Sequence, residues 1–239
     1  MVIVPVVIVA HEKRKTMATR LQAATGAEAI VWDNYNLGCE ENHQKAWAYM
    51  AEAASEPWVV FLEDDAVPVD FFREQLAQVL AAATTPIVSL YLGRGRPDQW
   101  QLPISSVIGT EACFIRSDTL LSTVGYAVQT PLLRQMCSEV LRLVYMRQIE
   151  LPEAMTRWAQ HHGYRISYSR PSIVDHLDIK PVIDTEDRYD GQERTELRKA
   201  WLFDWRPSGT WNSSWVELPH YDLSRPDKVA EHVVEVHPG

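Results

Sequence analysis

Trp58-Val59-Val60-Phe61-Leu62-Glu63-Asp64-Asp65-Ala66-Val67-Pro68 is the stretch that decides how the rest of the chain is read. An unbroken apolar run, opening after Pro57 and ending in acids, is the pattern of a parallel strand covered on both faces. The acids then mark its carboxyl end, which is where open α/β sheets bind ligands. Three adjacent carboxylates repel one another unless a cation or a hydrogen-bond donor compensates them. Hard oxygen ligands of this kind suit Mg2+ or Mn2+, ions that often bridge phosphates. The bland alternative is a helix N-terminus, where acids are favoured anyway, but capping asks for one acid rather than three.

Upstream, Val4 to Ala10 is a second continuous apolar run. Pro5 has no N–H to give to a ladder, so pairing is expected to start near Val6. Arg14 to Thr25 reads as a helix closed by Gly26. Ala29 to Trp32 reads as a strand ending at Asp33-Asn34. Glu41 to Ala54 carries Ala46, Tyr49, Met50 and Ala53 at helical spacing. Downstream, Asp70 to Ala83 is expected as a helix and Ile87 to Leu92 as a strand running into Gly93-Arg94-Gly95-Arg96. This alternation predicts an α/β fold with a mostly parallel, right-handed, doubly wound sheet flanked by helices.

The second half is less regular. Ala112 to Arg116 reads as a strand, Ser117 to Val124 as helical, and Leu132 to Gln148 as a long amphipathic helix. Pro152 to His162 is a helix with proline in its first turn and Gly163 just past its end. Arg165 to Ser169 and Ser172 to Val174 are short strand candidates. Beyond His176 the chain turns polar and aperiodic, then gathers Trp201, Trp205, Trp211 and Trp215. The expected organisation is one domain over residues 1–180 and a lid or wrapping tail over 181–239.

The chain has 239 residues and a net charge of −9, with a pI near 5.4. An acidic chain is a poor general nucleic-acid binder, because phosphate binding draws on clustered Lys and Arg. Cys39, Cys113 and Cys137 form no CxxC pair and read as reduced, mostly buried thiols of a cytoplasmic protein. The first apolar run is too short to span a membrane and has the wrong flanks for a signal peptide.

Asp33 sits where an acid commonly receives a ribose or base edge, and equally where Asp and Asn side chains build a turn. His11, after the first strand, is similarly placed. Asn42 and Lys45 face a phosphate or base in one reading and belong to a solvated helical face in the other.

In that order these residues resemble the GT-A class of glycosyltransferases, a Rossmann-like fold. Leu62-Glu63-Asp64-Asp65 is similar to the DxD-type motif of that class and to the LEDD motif of lipooligosaccharide and collagen galactosyltransferase relatives. Gly109-Thr110-Glu111-Ala112-Cys113-Phe114-Ile115 resembles their Gly-Thr-His-Ala-Tyr-Leu-Ile segment, with Glu111 in place of the histidine. Pro171-Ser172-Ile173-Val174-Asp175-His176 resembles a Pro-Ser-Leu-Val-x-His stretch in which the histidine completes a metal shell.

The resemblance covers roughly residues 4 to 176 and implies a metal-dependent transfer of sugar from a UDP- or GDP-sugar to a hydroxyl. It implies Asp65, His176 and Glu63 as ligands of Mn2+ or Mg2+, with Asp175 or Asp178 as substitutes for His176. Ala10, His11, Asp33, Asn42, Lys45, Glu63 and Asp64 are implied as donor contacts. In inverting members an acid at the start of a helix is the general base, which carries over to Glu153 first and Glu150 second; a favourable first-turn charge is the ordinary reading of Glu153. Inverting and retaining chemistry stay open, because fold and metal motif do not decide stereochemistry.

Arg94, Arg96 and Trp100, with Glu111, are the acceptor candidates, since a Gly-rich basic loop approaches phosphate or sugar closely. Arg188, Arg194, Arg198 and Lys199 would suit a lid over a diphosphate, though a solvated face beside Glu193 and Glu196 is the ordinary explanation. Acidic proteins of this pattern resemble some bacteriophage enzymes that glycosylate modified DNA bases or virion proteins; the acidity favours a protein or glycan acceptor over DNA. Two other classes compete: a nucleotidyltransferase, which shares clustered acids and a metal, and a non-catalytic carbohydrate-binding module, for which the nine tryptophans would supply stacking platforms.

Overall fold

A computed structural model describes residues 4–95, 97–179, 182, 198–218 and 235–239. Its elements are β1 (Val6–His11), α1 (Lys15–Thr25), β2 (Ala29–Asp33), α2 (Cys39–Ala53), β3 (Trp58–Glu63), β4 (Ala66–Pro68), α3 (Phe72–Ala82), β5 (Ile87–Ser89) and α4 (Asp98–Val107). They continue with β6 (Phe114–Ser117), β7 (Gly125–Gln129), α5 (Leu133–Arg147), α6 (Leu151–His161), β8 (Ile166–Ser169), β9 (Val174–His176), β10 (Trp215–Glu217) and β11 (Val236–His237).

Nine strands form one sheet in the order β11-β10-β6-β8-β5-β7-β3-β1-β2, and β4 pairs with β9 in a separate ribbon. β2, β3, β5, β8 and β11 run with β1, while β7, β6 and β10 run against it. The protein is therefore a mixed α/β fold whose large sheet is mostly parallel and flanked by helices.

Alternation along the central strands explains why their apolar runs are unbroken. Val7, Val9, Val59 and Phe61 enter one core with Trp47, Trp100, Met136 and Trp158, from the helices α2, α4, α5 and α6. Val6, Ile8, Val60 and Leu62 enter the other with Leu76 and Val79 of α3. Both faces are buried, so no position is left for a polar residue. Each such side chain contributes about 1.5–3 kcal/mol. Gly26 ends α1 with φ +62°, the left-handed turn expected of a glycine there.

Two local expectations fail. Residues 118–124 are not helical. Their polar side chains compete with the backbone: Ser117 Oγ accepts from Thr119 N, while the N–H groups of Leu120 and Leu121 donate to Thr156 Oγ1 and Tyr168 Oη. The strand that follows, β7, enters antiparallel between β3 and β5. The strand expected over Ile87 to Leu92 ends at Ser89.

Parts of the trailing segment join the domain. β10 pairs parallel with β6, Ala200 bridges to Gly93, and Trp211 is buried against α3 and β6. Arg188, Glu193, Arg194 and Glu196 lie outside the described residues. No helix among those described is long and apolar enough to cross a membrane.

Candidate functional site

The register brings the carboxyl ends of β1, β2 and β3 to one edge: His11 lies opposite Asp33, and Val9 opposite Glu63. Past Glu63 the chain turns at Asp64-Asp65 into β4, which pairs antiparallel with β9 so that Ala66 faces His176. Gly125 permits this ribbon to lie against the sheet, since a Cβ there would stand 3.2 Å from both Leu62 and Val174.

Asp64 and Asp65 are both buried, and a single guanidinium holds them. Arg14 Nη1 donates to Asp64 Oδ1 at 2.7 Å and to Asp65 Oδ2 at 3.0 Å. His11 N donates to Asp64 Oδ2 at 2.9 Å, and His176 Nε2 stands 3.3 Å from Asp65 Oδ2. Burial pushes the Asp64 carboxyl up, and its hydrogen bonds to His11 and Arg14 offset this only in part. Burial also opposes ionisation of Asp65, but His176 and Arg14 outweigh it and hold that pKa below the usual range. Asp65 Oδ1 and His176 Nδ1 are buried without a hydrogen-bond partner. Sequence reasoning missed Arg14; the signal was the basic Lys13-Arg14-Lys15 run after β1.

Glu63 makes a different set of contacts. Thr123 Oγ1 donates to its Oε1 at 2.7 Å, and His43 Nε2 lies 3.5 Å from the same oxygen. The residues predicted as donor contacts divide between structural and open positions. Asp33 is buried and accepts from Tyr35 N, Leu37 N and Gly38 N at 2.9–3.1 Å, so its carboxylate organises the loop before α2. Burial raises its pKa, yet those three N–H groups prevail and leave it low. Asn42 Nδ2 ties Ala10 O to Val31 O, and Lys45 Nζ donates to Trp32 O. His11 accepts Lys13 N–H at Nδ1, which puts the ring proton on Nε2, facing Asn36 Oδ1 at 2.9 Å. At this edge lies an open cleft of about 440 Å³, lined by Glu12, Lys13, Lys15, Trp32 and Asn34.

Around His176 the rim carries further charge. Lys199 Nζ donates to His176 O at 2.5 Å, and Ala200 N donates to Asp175 Oδ1. Arg198 donates to both oxygens of Asp178.

One member of the expected acceptor group belongs to the core. Trp100 is 1% exposed within α4 and belongs to the core, so its ring is a packing residue and not a sugar platform. Its helix packs an amphipathic face inward, as most tryptophans at helical spacing do. Arg94 binds Ala200 O and lies over the Trp201 ring, Glu111 is exposed in a turn, and Arg96 lies outside the described residues. Glu150 occupies the N-cap position of α6 without a side-chain capping bond, and Glu153 pairs with Arg157 one turn on at 2.6 Å. Because β8 runs with β3, the helix before it begins at the carboxyl edge, the edge that carries Asp65.

No family model and no curated protein matches the chain. Among solved structures it is similar to A197 from STIV, with 11% identity, TM-score 0.47, and 74% of this chain and 86% of that one covered. A 2-C-methyl-D-erythritol 4-phosphate cytidylyltransferase from Thermus thermophilus matches at 17% identity, TM-score 0.41, over 77% and 94%. A glycosyltransferase involved in glycosylation of the major capsid of PBCV-1 matches at 10% identity, TM-score 0.35, over 74% and 96%.

Proposed function

We propose that the protein is a glycosyltransferase that moves a sugar from a nucleotide-sugar donor to a hydroxyl acceptor. The observation that carries this reading is the buried Asp64-Asp65 pair, set past the carboxyl end of β3 and held by Arg14, with a cleft lined by Lys13, Lys15 and Trp32 at the ends of the neighbouring strands β1 and β2. Trp32 offers a face for a base, and the two lysines offer charge for phosphates.

The fold class implies Mn2+ or Mg2+, and the residues present fit such an ion. Asp65 presents a buried oxygen with no hydrogen-bond partner, and the oxygen and imidazole donors of Asp65 and His176 suit Mn2+. Asp65 and His176 would hold it. Bound there, the ion supplies positive charge against the leaving diphosphate. Arg14 orients the two carboxylates from behind, and His11 N–H holds Asp64. In the inverting form of the reaction Glu153 or Glu150 takes the acceptor proton. The acceptor oxygen then bonds to the anomeric carbon as the bond from that carbon to the diphosphate oxygen breaks, and the nucleoside diphosphate departs.

Nucleotidyl transfer is the second reading, favoured by the lysines that follow β1 and line the cleft. For a carbohydrate-binding module fewer stacking faces remain, because Trp47, Trp58, Trp100, Trp158 and Trp211 are buried, while Trp32, Trp201, Trp205 and Trp215 stay accessible. Incubation with Mn2+ and a panel of UDP- and GDP-sugars, reading nucleoside diphosphate release, tests the proposal. Release that falls at least about 100-fold in Asp65→Ala supports it. Consumption of a nucleoside triphosphate with a sugar 1-phosphate, releasing pyrophosphate and no nucleoside diphosphate, replaces it with the second reading.

A further inference from the structure

On the α2 side of Glu63, three side chains converge, apart from Asp65 and His176. Cys39 opens α2, His43 lies one turn later on the same face, and Glu63 closes β3. Their ligand atoms all lie within 4.8 Å of one another. Glu63 Oε1 is 3.9 Å from Cys39 Sγ and 3.5 Å from His43 Nε2.

His43 is fully buried, and its Nε2 has no hydrogen-bond partner. The other ring nitrogen is 2.9 Å from Tyr126 Oη, which also accepts the Trp47 indole N–H at 2.8 Å. A buried imidazole nitrogen without a partner is costly. The 3.5 Å gap to Glu63 is too long for a good N–H···O bond. It does match two ligands of one tetrahedral cation: bonds of about 2.0–2.3 Å place ligand atoms roughly 3.3–3.8 Å apart.

We propose that Cys39, His43 and Glu63 form a binding site for a zinc-class divalent cation. Thiolate, imidazole and carboxylate make a borderline-soft set, unlike the harder donors at Asp65 and His176. Three protein ligands leave a fourth position, reached from the exposed Cys39 side, for water or a ligand. On binding, the Cys39 thiol releases its proton to solvent, and His43 coordinates through Nε2 while its remaining ring proton moves to Nδ1, beside Tyr126 Oη, whose own O–H then gives up Nδ1 as an acceptor. Tyr126 thereby orients the imidazole. The site leaves Asp65 and His176 untouched but takes Glu63, which the resemblance places in the transfer metal's shell, into a separate set with Cys39 and His43.

Cobalt titration of the full-length, reduced, metal-free protein tests this. About one equivalent of Co2+ should produce the near-ultraviolet thiolate-to-cobalt charge-transfer band with the visible bands of four-coordinate cobalt. Equimolar Zn2+ should bleach both, and excess Mg2+ should leave them. Cys39 is exposed, so Cys39→Ser is expected to fold; it should lose the charge-transfer band while Cys137→Ser keeps it. Glu63→Gln should weaken cobalt binding. A wild-type spectrum without the band at saturating Co2+, a band that survives in Cys39→Ser, or a band that Zn2+ fails to displace overturns the proposal.

Discussion

His176 Nε2 stands 3.3 Å from Asp65 Oδ2, across the ribbon in which β9 pairs with β4. The contact joins the turn after β3, in the regular first half of the chain, to the end of β9 in the irregular second half. It leaves one oxygen of Asp65 and one nitrogen of His176 without hydrogen bonds in the interior. Arg14 donates to both carboxylates of the acid pair, and reaches the same Asp65 oxygen that faces His176.

Arg14→Met should therefore leave two buried carboxylates without the guanidinium they share, with only His11 N–H on Asp64 and His176 beside Asp65. The expected loss is about 3 kcal/mol in urea denaturation with chelator present. Mn2+ should recover part of that loss in the variant. Equal losses with and without Mn2+ would show that the acid pair holds no divalent ion.

Trp32 lines the cleft next to Lys13 and Lys15. Replacing it with alanine should weaken UDP or GDP binding about tenfold by calorimetry, the size of a lost base-stacking contact. Turnover at saturating donor should stay near wild type. A selective fall in kcat with unaltered nucleotide binding would place the base elsewhere.

Asp33 gives the pH dependence. Its folded-state pKa lies below the ordinary 3.8 because three N–H groups donate to it. Its stabilisation is therefore present above the unfolded value and lost as pH falls through the folded one. Asp33→Asn should cost about 1–2 kcal/mol at pH 7 and flatten the fall in stability below about pH 5. An unchanged acid slope by chemical denaturation would contradict this.

Glu153 forms an exposed pair with Arg157, worth under about 1 kcal/mol. Glu153→Gln should leave the melting temperature and donor binding nearly unchanged while acceptor-dependent transfer falls steeply. Should transfer persist in Glu153→Gln and fall in Glu150→Gln, the proton acceptor is the residue at the N-cap position of α6.

Much of the fold was legible because its signals are local. The runs Val4 to Ala10 and Trp58 to Leu62 can be buried on both faces in only one way, and Gly26 supplies the turn that ends α1. Residues 118–124 were misread because their helical spacing competes with Ser and Thr hydroxyls, and the hydroxyl partners on α6 and β8 are distant in sequence. Trp100 was misread because a tryptophan near a Gly-Arg loop looks like a sugar platform until the sheet that covers it is in place.

By itself, the order of residues determined the alternating α/β plan and the acid cluster at a strand's end, since apolar runs and turn residues act within a few positions. Tertiary structure alone decided how those acids are shared out. Asp64 and Asp65 go to Arg14 and His176, and Glu63 goes to Thr123 and His43, because successive side chains at a strand's end leave in different directions and meet whatever the neighbouring strands and helices present.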